Sequence, residues 1–135
     1  MTDPCGALIY TMVLVSASDG AMTDNEINTL GEMIGFLPVF RDFDRSRLPT
    51  LTEETISLLE EEEGLDRALD IIDRALPDHL RETAYAIACD VVASDATASQ
   101  EELRLLEMIR HSLDIDRLSA AAIERGARAR HMTLE

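Results

Sequence analysis

Two pairs of carboxylates recur along the chain at one spacing: Asp19 with Glu26, and Asp95 with Glu102. Each Asp closes an Ala-Ser-Asp tripeptide, and each Glu follows seven positions later. Hard oxygen donors of this kind suit Ca²⁺, Mg²⁺ or Mn²⁺. Asp24, Glu101 and Asp90 could add ligands, and Asp90 is a charge set inside an otherwise apolar run. An EF-hand is excluded, because counting from Asp19 puts Ala21 third, Asp24 where glycine is required, and Leu30 twelfth. The same acids have a second use. Glu26 stands three residues after Thr23, and Glu102 three after Ser99, which is the capping-box spacing, while Asp19 and Asp95 can bond turn amides. Capping alone and capping with cation binding both stay open. If the helices before the two turns run antiparallel, their Asp ends lie ~15–20 Å apart at 1.5 Å per residue. If those ends meet, four carboxylates converge and a cation is needed to offset their repulsion.

Other chemistry is missing. There is no glycine-rich phosphate loop, no pair of His at helical spacing and no nucleophile elbow. His79, His111 and His131 stand alone. An enzyme using Asp90 or Glu102 as general base would need a pocket that raises a carboxylate pKa, with no nucleophile or phosphate cradle beside it. The expectation is a protein without catalytic activity. Cys5 and Cys89 are too few and too far apart for a disulfide framework or a zinc knuckle, and Cys89 reads as a buried free thiol.

The elements that must position these acids read as helices. Ala7–Ala17 is apolar nearly all round, as in a helix buried on most sides. Thr23 opens a second helix with Ile27, Leu30, Met33 and Ile34 on one face, ended by Gly35 and Pro38. The Gly31/Gly35 pair on it fits close packing or a C-cap. Residues 38–50 read as a loop with a short turn. Thr52 or Thr50 caps a third helix that closes in Glu60–Glu63 before Gly64. Leu65, Leu69, Ile72 and Leu76 mark a fourth. Pro77 is the expected first residue of a fifth, reaching about Ser94. A sixth follows Ser99, and a last one spans about 116–130. The fold class is all-α, one domain over 1–135, a single bundle of about seven helices.

The chain repeats itself. A shift of 76 lays residues 7–37 on 83–113 without a gap, with identities at Val15/Val91, Ala17/Ala93, Ser18/Ser94, Asp19/Asp95, Glu26/Glu102, Leu30/Leu106 and Leu37/Leu113. These fall at the helix end, the turn, the cap and the core face, which marks two copies of one helix–turn–helix unit. Each apolar first helix needs a cover, and the other copy is the natural one.

Composition sets the limits. The 135 residues fit one domain, 46% hydrophobic and 29% charged, with three Phe, two Tyr and no Trp. The core must therefore be aliphatic. Net charge is −15, every base is Arg, and only residues 117–135 are net positive, at +2. Such a surface repels phosphate backbones, which argues against nucleic acid, and favours cations and basic partners. Arg125, Arg128, Arg130 and His131 form a basic tail that could dock on an acidic surface. Without a signal peptide or a ~20-residue apolar run, a cytoplasmic location is expected.

At the paired turns, Val15-Ser-Ala-Ser-Asp-Gly20 with Glu26 and Val91-Val-Ala-Ser-Asp95 with Glu102, the chain resembles the TerB-like tellurite-resistance family. The resemblance covers about residues 5–115. It implies an all-helical, internally repeated bacterial domain of stress-response type, without enzymatic activity. It also implies metal binding by Asp19, Glu26, Asp95 and Glu102, and a protein partner in a membrane-associated complex. Ala96 departs from the pattern where the first turn has Gly20, so a left-handed turn is less accessible in the second copy. The expected function is divalent cation or partner binding through the repeated turns. The alternative is an interaction module whose acids are caps and solubilising surface, and a homodimer is compatible with either.

Overall fold

Asp3 starts the central helix. Its side chain accepts from the Gly6 N–H at 2.8 Å, and Pro4 follows at the first helical position, where a missing N–H costs nothing. In this computed structural model, which describes residues 2–17, 22–94 and 98–135, α1 spans Pro4–Ser16. It begins three residues before the apolar run does. Every residue from Gly6 to Ser16 is buried. Leu8, Ile9, Met12, Val13 and Val15 are fully enclosed, each worth about 1.5–3 kcal/mol of burial.

Six further α-helices follow among the described residues: α2 (Asp24–Phe36), α3 (Leu48–Glu60), α4 (Gly64–Ala75), α5 (Arg81–Ala93), α6 (Gln100–Ser112) and α7 (Arg117–Arg130). Short 3₁₀ turns occupy Pro38–Phe40, Arg45–Arg47 and Asp78–Leu80, and no strand is present among the described residues. The all-helical expectation holds. Two boundaries differ from the sequence reading. α3 opens at Leu48 out of a 3₁₀ turn, with Pro49 in its first turn and no side-chain cap. Thr50 and Thr52 therefore lie inside it. Pro77 is extended at ψ 158°, so α5 begins only at Arg81, after a 3₁₀ turn. Arg81 ties that start down by donating to Asp73 Oδ1, the Asp73 carbonyl and the Leu113 carbonyl.

α1 and α5 pack side by side at the centre. α3 covers α1 and α7 covers α5; α4 packs on α1 and α3, and α6 lies on α5. Each half also has a tyrosine–glutamate link from its first helix to the helix that covers it, one position out of the 76-residue register. Tyr10 on α1 donates to Glu54 on α3 at 2.9 Å, and Tyr85 on α5 donates to Glu124 on α7 at 2.6 Å. The connection from α2 to α3 turns back on α2. There Arg45 lies across Gly31 and Gly35 and donates to the Gly31 carbonyl at 3.1 Å; a Cβ at either glycine would meet its guanidinium at 3.5 Å, an ordinary contact. Neither glycine is a cap, since both lie inside α2, whose C-cap is Leu37.

Candidate functional site: the paired acidic turns

Both capping boxes form. The Glu26 N–H donates to Thr23 Oγ1 at 3.2 Å, and the Thr23 N–H donates to Glu26 Oε1 at 2.9 Å. In the second copy the Glu102 N–H donates to Ser99 Oγ at 3.1 Å, and the Ser99 N–H to Glu102 Oε1 at 2.9 Å. Thr23 and Ser99 sit in extended backbone at nearly the same angles, φ −81° and −78°. The two glutamates are thus placed identically on α2 and α6. Each commits Oε1 to its cap, and Oε2 has no hydrogen-bond partner among the described residues.

Asp19 and Asp95 lie outside the described residues, and so does the question of whether the two turns converge. Among the described residues no three His, Cys, Asp or Glu side chains gather into a metal-binding group. Asp24 and Glu101 are exposed in the first turns of their helices, where a negative charge favours the macrodipole. Ser16, at the end of α1 and just before the first turn, is 3% exposed, and its hydroxyl has no partner among the described residues.

Asp90 is held elsewhere. Its side chain is only 16% exposed and meets Arg130 at 2.6 Å and His131 at 3.4 Å. The candidate fifth ligand is the anchor of the C-terminal end of α7, and the basic tail docks in part on the chain's own acid. Ala120 and Ala127 seat α7 against α5, while Arg125, Arg128, Arg130 and His131 themselves stay exposed.

Sequence reasoning also passed over the Tyr85–Cys89–Glu124 group between α5 and α7. Burial pushes the Cys89 thiol up to about 12; the nearby Tyr85 hydroxyl works against this, while the charges of Glu124 and Asp90 add to it. The folded state keeps this proton above the ordinary thiol value of 9.0, where the unfolded chain releases it. Stability linked to Cys89 is therefore complete below pH 9 and lost as pH rises towards 12. In a Cys5→Ser variant at pH 8, Ellman's reagent should label Cys89 at least about 100-fold more slowly in the native protein than in guanidinium. Equal rates would show the thiol to be accessible.

Fold and turns together define an acidic, all-helical domain made of two helix–turn–helix units, each closed by a capping box. The chain belongs to the TerB family: the family model described as "Tellurite resistance protein TerB" matches residues 6–125, nearly its whole length. No curated protein and no solved structure matches it. Among the described residues no helix is long and apolar enough to cross a membrane.

Proposed function

We propose that this TerB-family chain is a non-catalytic binding domain of the tellurite-resistance, stress-response type. Its twin turns take a divalent cation, Ca²⁺, Mg²⁺ or Mn²⁺, through Asp19, Glu26, Asp95 and Glu102, and the loaded domain engages a protein partner. The observation that carries this reading is the duplication of Glu26 and Glu102 in one geometry, each with Oε2 unpartnered among the described residues. The unpartnered, buried Ser16 hydroxyl beside the first turn supports it, because a buried polar atom without a partner is costly.

The test separates capping from ligation. Glutamine at the third helical position still completes a capping box but carries no charge. Titration with Ca²⁺, Mg²⁺, Mn²⁺ or Zn²⁺ should raise the melting temperature of the wild type. Saturation at 100 times Kd stabilises by about 2.7 kcal/mol. Glu26→Gln with Glu102→Gln, and Asp19→Asn with Asp95→Asn, should fold without metal and lose that response. No shift at millimolar metal, or an equal shift in the variants, removes the cation.

A second reading, an interaction module whose acids serve as caps, is favoured by the oxygen each glutamate gives to its own backbone. It expects Glu26→Ala to destabilise by about 0.5–2 kcal/mol with or without metal.

A further inference from the structure

The duplication exposes a difference between its two copies. In the first, α2 connects to α3 through residues 37–47, which carry Phe40 and Phe43 and lay Arg45 across Gly31. Phe40 is buried, and Phe43 packs edge-on to it with ring centroids 5.8 Å apart. In the second copy, α6 connects to α7 through residues 113–116 alone. Glu107 and Arg110 stand where the first copy has Gly31 and the buried Ile34. Among the described residues no counterpart of Arg45 folds back over them.

The result is a groove of about 910 Å³ between α6 and α7, which both pack on α5 and hardly touch each other. That size matches the upper end of small-ligand sites, roughly 300–1,000 Å³. Its floor and walls are apolar, with Tyr85, Val92, Leu103, Leu106, Ala120 and Ala121. Leu103 is 45% exposed, and Met132 at the rim is 70% exposed. The rim reverses the sign of the rest of the molecule: Arg110, Arg117, Arg128 and His131 face it, opposed by Glu107 and by Glu124, whose carboxylate accepts from Tyr85. In a chain of net charge −15 this is a local basic, apolar trough.

We propose that this groove is the docking site for an acidic amphipathic segment of a protein partner, with Phe or Leu anchors on one face and Asp or Glu beside them. In the first copy the corresponding helix face is crossed by Arg45 of the 37–47 connection, whereas here the Leu- and Ala-lined walls are open to apolar anchors and the arginine rim selects acids to flank them. The proposal rests on the reading of the chain as a binding domain with a protein partner, and it names that partner's chemistry.

The probe is a displayed library of random 16-residue peptides, selected on the immobilised full chain in parallel with millimolar Ca²⁺ and with EDTA. Enriched peptides should be net negative, carry Phe or Leu at helical i, i+3 or i+4 spacing, and shift the amide resonances of Leu103, Leu106 and Ala121. Arg117→Glu with Arg128→Glu, both exposed positions, should weaken them at least about tenfold, as expected when steering and rim pairs are lost together. Glu107→Gln should strengthen them. Basic enriched peptides, insensitivity to the reversal, or no enrichment would overturn the proposal. So would shifts produced by dodecanoate alone, or a dimer in light scattering that Leu103→Glu dissociates. The metal response of the Arg117→Glu/Arg128→Glu variant keeps the two ideas apart: if it persists while peptide binding is absent, only the groove is lost.

Discussion

Gly64→Ala should destabilise the domain by about 3–4 kcal/mol, at the severe end of single substitutions. Gly64 is the buried first residue of α4, and a Cβ there would be driven into the Leu58 carbonyl at the end of α3. That obstacle is backbone, held in place by the Glu61 N–H bond to the same carbonyl, so it cannot swing aside as a side chain would. The neighbouring Glu63 gives the control. It sits at φ 58°, in the left-handed region that glycine adopts freely. Glu63→Gly should therefore be neutral or stabilising by up to about 1 kcal/mol. Urea denaturation at constant m-value reads both. A Gly64→Ala variant within 1 kcal/mol of wild type would mean that the α3–α4 turn can open without cost.

Met12→Ala should lose about 2–5 kcal/mol. Met12 is fully buried in the middle of α1, the helix that packs on α3, α4, α5 and α6, so the space left behind is walled by several helices and closes poorly. At this chain length a loss of 3 kcal/mol lowers the melting temperature by roughly 10 °C. Phe36→Ala removes a larger side chain that is 83% exposed, and it should stay within about 0.5 kcal/mol of wild type. If the two variants melt together, α1 is not the centre of the core.

The contrast between α1 and the groove shows what a sequence can disclose. Thr23 and Ser99 were legible as caps because a capping box is a three-residue rule, and both boxes formed as read. The apolar run of α1 was legible because a helix buried on every side has no polar face. The start of α3 was not: a 3₁₀ turn delivers the chain to Leu48 without a side-chain cap, and Pro49 was the only local sign. Asp90 resisted for another reason. Its partner Arg130 is forty residues downstream, and no spacing rule joins α5 to the end of α7. The groove had a usable signal: once the two copies are aligned, the long 37–47 connection has only the short 113–116 as its counterpart.

The burial of α1 also bears on synthesis. Some 65 residues separate its last turn from the first of α5, its largest helical neighbour along with α3. At a translation rate of roughly 5–20 residues per second, that interval lasts roughly 3–13 s. α3 reaches α1 about halfway through it, and until α5 arrives the other side of this helix stays uncovered, a natural substrate for chaperones that bind greasy segments.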